Sequence, residues 1–102
     1  MADFQKVAKT TEIIDGEVVP FYVDGIGISI CNINNNYYAF RDECSHQTFT
    51  LSDGDIEGEN IVCAYHGAEF DIKTGEAKCL PATEPIEVYE LKIDGDDILV
   101  KV

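Results

Sequence analysis

Ile26-Gly27-Ile28-Ser29-Ile30 puts an isoleucine at every second position, and a period of two is the repeat of a β-strand, whose successive side chains leave opposite faces. Moving outward, other runs rich in β-branched and aromatic residues read the same way. They are Phe4 to Ala8, Val18 to Val23, Tyr37 to Arg41, Ile61 to Cys63, Glu69 to Ile72, Ile86 to Ile93 and Asp97 to Val102. Asp24-Gly25, Asn34-Asn35-Asn36, Thr74-Gly75 and Gly95-Asp96 separate them, and these residue types supply the positive φ and local hydrogen bonds of tight turns. Pro20 has no N–H to give to a ladder, which predicts that its strand lies at a sheet edge. The alternation changes phase between Val88 and Leu91, which predicts a bulge there. There is no sustained amphipathic helix, internal repeat or low-complexity tract. The pattern predicts an all-β fold, a small antiparallel β-sandwich or barrel.

A chain of 102 residues with 45% apolar side chains has room for one core, so residues 1–102 read as a single domain. Seven basic against twenty acidic side chains give a formal charge of -13. That charge repels nucleic acid and anionic membrane surfaces and favours basic protein surfaces as partners. No segment reaches the ~20 apolar residues of a membrane span, and Met1-Ala2-Asp3-Phe4 has no signal-peptide character. A cytoplasmic location is expected. In a reducing compartment the four cysteines suggest metal ligation rather than two disulfides.

Two half-sites give that suggestion its chemistry. Cys44-Ser45-His46 falls on a loop expected at about 42–55, and Cys63-Ala64-Tyr65-His66 on a turn at about 63–68, and together they contain both histidines of the chain. Each loop offers one thiolate and one imidazole. A 2Fe-2S centre with two histidines in place of two cysteines on one iron needs this set, and tetrahedral structural zinc also accepts two sulfurs and two nitrogens. The mixed order, sulfur then nitrogen in each half-site, suits two loops that each give a cysteine to one iron and a histidine to the other. Cys31 and Cys79 stand apart from both half-sites and read as small buried hydrophobes.

With Leu51-Ser52-Asp53-Gly54 after the first half-site, Gly67-Ala68-Glu69-Phe70-Asp71 and Thr74-Gly75 after the second, and Leu80-Pro81-Ala82 beyond, the chain resembles the small Rieske-type ferredoxins of bacterial multicomponent oxygenases over nearly its whole length. The resemblance implies a cluster-binding β-domain with one 2Fe-2S cluster. Cys44 and Cys63 would bind the inner iron, and His46 and His66 the outer, more exposed one. Pro81 would belong to a covering loop at about 79–83, and Gly67 would allow the backbone to come close to the cluster. It also implies a one-electron carrier, not an enzyme. Electrons would pass from an NAD(P)H-dependent flavoprotein reductase to a terminal oxygenase, which in this family often hydroxylates aromatic rings, and the carrier would act as a monomer. A nitrite reductase or diiron monooxygenase system would use the same kind of carrier. Outside redox chemistry, the alternative is a zinc-stabilised β interaction module. Ring-hydroxylating catalysis would need a second iron site, and both histidines are already used.

Respiratory-type members of the family carry one further cysteine in each cluster loop, at the places of Phe49 and Tyr65 here, so that disulfide is excluded. They also place hydroxyl donors where this chain has Ala68 and Phe70. Hydrogen bonds to sulfur favour the more negative reduced state, so their loss implies a potential near the low end of the Rieske range, about -150 mV. The acidic runs Asp53, Asp55, Glu57, Glu59 and Asp94, Asp96, Asp97 are candidate docking patches or simply solvated faces.

Overall fold

The computed structural model describes residues 4–42, 50–64, 67–79 and 85–101. Among these residues, ten antiparallel strands form two sheets. The larger contains β1 (Gln5–Lys9), β2 (Val18–Val23), β3 (Ile26–Ile33), β4 (Asn36–Arg41), β9 (Val88–Asp94) and β10 (Asp97–Lys101), in the order β1-β10-β9-β4-β3-β2. The smaller, ordered β5-β6-β7-β8, contains β5 (Asp55–Glu57), β6 (Asn60–Val62), β7 (Glu69–Asp71) and β8 (Ala77–Cys79). Short 3-10 turns at Thr10–Glu12 and Leu51–Asp53 are the helical segments among the described residues. None is long and apolar enough to cross a membrane.

The turn chemistry is as the sequence anticipates. Asp24 and Gly25 both take positive φ (51° and 79°) between β2 and β3, and Asn34 and Asn35 do so (54° and 67°) between β3 and β4, the signature of two-residue hairpins whose twist matches their strands. Pro20 sits on β2, the last strand of its sheet, where its missing N–H costs no ladder bond. Gln5 Nε2 donates to Asp24 Oδ2 at 2.8 Å, a bond from β1 to the turn beside β2. The two ends of the six-stranded sheet therefore meet, and it curls almost into a barrel.

Two cores result. Ala8, Ile13, Val23, Ile28, Ile30, Ala39, Ile98 and Val100 fill the inside of the curled sheet. Cys31, Phe40, Leu51, Ile61, Cys63, Ala68, Phe70, Ile72 and Ile86 fill the space against the smaller sheet. Strands β3 and β4 serve both cores: Ile28 and Ile30 face one while Cys31 faces the other, and Ala39 and Phe40 divide likewise. A strand covered on both faces is buried along its length, and β3 is buried from Ile28 to Asn32. Asn32 is the buried polar residue that holds its surroundings in place. Its Nδ2 donates to the Ile13 carbonyl at 3.0 Å, and its Oδ1 accepts from the Asn35 N–H at 2.8 Å.

The bulge expected between Val88 and Leu91 is absent. The β9–β10 register runs unbroken from Asp94↔Asp97 to Glu90↔Lys101, and β9 continues onto β4 through Tyr89↔Ala39 and Val88↔Phe40. Within β9, Tyr89 and Leu91 pack on the core while Val88 is exposed, so the alternation there is unbroken; Ile86, before the strand, is buried in the other core. The register shifts fall elsewhere, between Lys6 and Ala8 in β1 and between Glu69 and Phe70 in β7. Strands β5 and β8 lie in segments the sequence pattern left unassigned, and β3 runs three residues beyond Ile30.

Candidate metal centre

The second half-site grows out of a hairpin. Strands β6 and β7 pair through Asn60↔Asp71, Ile61↔Phe70 and Val62↔Glu69. The ladder extends one pair beyond the strands, where the Cys63 N–H donates to the Ala68 carbonyl at 2.7 Å. The Gly67 N–H closes the turn by donating to the Cys63 carbonyl at 3.2 Å. Gly67 takes φ 71°, and a Cβ there would meet nothing within 4 Å. Within the described residues, turn conformation alone accounts for its glycine.

Cys63 is buried and makes no disulfide. Ala68 and Phe70, the positions where the sequence resemblance implies missing hydroxyl donors, are fully buried in the same core as Cys63. The surroundings of this thiol are accordingly apolar on the side of Ala68, Phe70 and Leu51.

Of the expected ligands, Cys44, His46 and His66 lie outside the described residues, as do Phe49, Tyr65 and Pro81. No group of three potential metal-binding side chains occurs among the described residues. The frame around the expected loops is described. The Asp42 N–H donates to the Gly27 carbonyl at 3.0 Å, fixing the entrance to the first loop on β3. Leu51, fully buried, fixes its exit. On the return from the segment holding Pro81, the Ile86 N–H donates to the Gly75 carbonyl and the Arg41 N–H to the Glu87 carbonyl, both at 2.9 Å. Gly75 is buried at φ 81°, and a Cβ there would overlap the Ile86 carbonyl oxygen. Both fixed points lie in segments the resemblance had singled out, Leu51 to Gly54 and Thr74-Gly75. Their holding role was not read from the sequence, because it depends on backbone contacts with distant residues.

The other cysteine with a described side chain behaves as a core residue. Cys31 is fully buried in β3 and free of disulfide, and burial pushes its thiol from 9.0 up to about 12. It stays a neutral thiol at any physiological pH, a poor metal ligand. The Cys79 side chain lies outside those described.

Cys63 fits a metal centre by its chemistry: an unpaired thiol at the mouth of a closed turn, with a second sulfur and two imidazoles supplied in the same two motifs. Comparison with known proteins agrees. Residues 3–90 match the Rieske [2Fe-2S] domain family. The ferredoxin component of biphenyl 2,3-dioxygenase from Rhodococcus jostii strain RHA1 is 36% identical over 95 residues, covering 93% of this chain and 89% of that protein. The solved ferredoxin of carbazole 1,9a-dioxygenase from Nocardioides aromaticivorans IC177 superposes with a TM-score of 0.91 at 31% identity, covering 95% of both chains. A ferredoxin solved in a complex of reduced oxygenase and oxidized ferredoxin in carbazole 1,9a-dioxygenase gives 0.91 at 26% identity, over 96% of this chain and 92% of that one. The chain belongs to the Rieske [2Fe-2S] domain family, whose cofactor is one Rieske-type 2Fe-2S cluster.

Proposed function

We propose that this chain, a single domain over residues 1–102, is a one-electron carrier between an NAD(P)H-dependent flavoprotein reductase and a terminal oxygenase, an aromatic-ring hydroxylating one in the first instance. Cys44, His46, Cys63 and His66 hold the cluster, the cysteines on the inner iron and the histidines on the outer. The observation that carries the reading is the end-to-end match in sequence and shape to ferredoxin components of dioxygenase systems, with both half-sites present in full. When bound, a 2Fe-2S centre accepts and releases one electron at a time. The protein's part is to supply the ligands and to keep water from the cysteine side. Cys63, Ala68 and Phe70, all buried, do the latter around the second half-site. With both histidines serving as ligands, none remains for a catalytic iron, so the chain is a carrier and not an enzyme. It works in the cytoplasm as a monomer, where its cysteines stay reduced until they bind metal.

Metal and sulfide analysis of the purified protein tests this directly. Two irons and two acid-labile sulfides per chain are expected, with a rhombic paramagnetic signal after dithionite reduction. A single zinc without sulfide overturns the reading. Replacing Cys44 or Cys63 with Ser abolishes the visible spectrum, and a Cys44→Ser protein that keeps its full colour removes Cys44 from the ligand set.

A further inference from the structure

The first half-site is enclosed by a clasp. Asp42 precedes the segment 43–51, which contains Cys44 and His46, and Ser52 follows it. The Asp42 carboxylate uses both oxygens on Ser52: Oδ1 accepts from the Ser52 backbone N–H at 2.7 Å, and Oδ2 accepts from the Ser52 hydroxyl at 3.0 Å. Hydrogen bonds to an ionised carboxylate are among the strong ones, and these two span ten positions of sequence. The clasp is anchored on both sides. Asp42 is tied through its own N–H to the Gly27 carbonyl of β3 at 3.0 Å. Ser52 lies in the Leu51–Asp53 turn, which ends where the Gly54 N–H donates to the Leu51 carbonyl at 2.9 Å. Gly54 in turn rests directly on the Val62 carbonyl, with no room for a Cβ. Val62 is the last residue of β6, and Cys63 follows it.

A continuous path therefore runs from β3 through Asp42, Ser52 and Gly54 to Val62, the residue beside the cysteine of the other half-site. We propose that Asp42 and Ser52 are positioning residues, a clasp that ties the two ends of the first half-site segment to the base of the second and so would govern how tightly the protein retains its cluster and the environment its irons experience. The proposal rests on the ligand assignment above. Its basis is the number and placement of the bonds. A loop that only needed closing would require one of them, whereas two bonds on one carboxylate fix its orientation as well.

Three variants of the full chain, loaded with cluster, separate the possibilities. Asp42→Ala removes both bonds. Ser52→Ala removes the hydroxyl bond without altering charge. Asp42→Asn removes the charge but keeps an oxygen for the Ser52 N–H and an amide that can donate to the Ser52 hydroxyl. Loss of visible absorbance under excess chelator at 25 °C should be about tenfold faster than wild type in Asp42→Ala and about threefold faster in Ser52→Ala, while Asp42→Asn stays within about twofold. The paramagnetic line positions of the reduced centre should move in Asp42→Ala and remain in Asp42→Asn. If Asp42→Asn loses its cluster as fast as Asp42→Ala while Ser52→Ala matches wild type, the carboxylate acts by its charge and the clasp is overturned. A fall in melting temperature with retention and line positions unchanged also overturns it, since the bonds then serve only the fold. Wild-type protein that binds no iron overturns the ligand assignment and the clasp together, whereas a normal wild-type centre retained equally well in all three variants overturns the clasp alone.

Discussion

Cys31 and Cys63 are both buried and both free of disulfide, but only Cys63 lies at a strand end with a histidine three residues on. Cys31 sits within β3, paired with Val18 on one side and Tyr38 on the other. Its thiol, pushed up to about 12 by burial, binds its proton more tightly in the folded than in the unfolded chain. The folded state therefore gains from this group below the unfolded value of 9.0 and loses that gain as pH rises from there towards 12. Urea midpoints should fall more steeply between pH 9 and 10 in the wild type than in a Cys31→Ala protein, which starts from a lower overall stability. Tyr89, raised from 10.0 to about 12 chiefly by burial, adds a slope of the same sign that grows towards pH 10 and beyond, so the difference between the two proteins isolates Cys31. The buried pair Ala68 and Phe70 allows a second test at this scale. Ala68→Ser and Phe70→Tyr each place a hydroxyl in the apolar surroundings of Cys63. A hydrogen bond to a charged acceptor is worth roughly 1.5 to 3 kcal/mol, and about 1.4 kcal/mol corresponds to 59 mV for one electron. Protein-film voltammetry should show the reduction potential rising by about 60 to 130 mV in each, if the bond forms mainly in the reduced state. An unchanged potential with an intact centre would place both side chains away from its sulfurs.

Among the elements, the long strands were legible, as were short β6 and β7 within the runs Ile61 to Cys63 and Glu69 to Ile72, while β5 and β8 were not. Strand β3 shows a clear period of two over its first five residues, and its hairpin turns are spelled out by Asp24-Gly25 and Asn34-Asn35. By contrast β5 is Asp55-Ile56-Glu57 and β8 is Ala77-Lys78-Cys79, each with too few residues to display a period. They exist because neighbouring strands supply a ladder, which is a tertiary cause. The expected bulge failed for a related reason: Ile86 packs in the core against the smaller sheet while Tyr89 and Leu91 pack on the other core, a change of partner that a period read along the chain takes for a change of phase. Cys63 and its turn could be placed from sequence because ligand spacing is a local signal. The contacts that hold the loops could not, because Gly54 meets Val62 and Gly75 meets Ile86, positions eight and eleven residues away. Gly75→Ala tests that second contact. It combines φ 81° with an overlap on the Ile86 carbonyl, and should lower stability by about 2 to 4 kcal/mol and speed cluster loss, measured by urea unfolding and by bleaching of the visible bands. Gly58→Ala, at φ 63° but with nothing within 4 Å, should cost only about 1 kcal/mol.

For the whole molecule, charge and topology dominate. A formal charge of -13 accelerates encounter with a basic partner and is screened over about 8 Å at physiological salt. Stopped-flow electron transfer to a basic redox partner should slow as ionic strength rises, and salt-insensitive rates would exclude charge steering. The ion pairs Lys6–Asp97 at 3.3 Å, Arg41–Glu87 at 4.0 Å, Lys73–Glu59 at 2.9 Å and Lys78–Glu76 at 3.4 Å all lie exposed and are worth little to stability. The topology acts in another direction. Strands β3 and β4 form a wall shared by both cores, one on each face. The backbone amides of Ile28 to Cys31 belong to the six-stranded ladder and are covered on both faces, so they should be among the slowest to exchange with solvent. Bleaching of the colour on heating, timed against the exchange of those amides, then tells whether iron leaves through loops that loosen by themselves or only when the shared wall gives way.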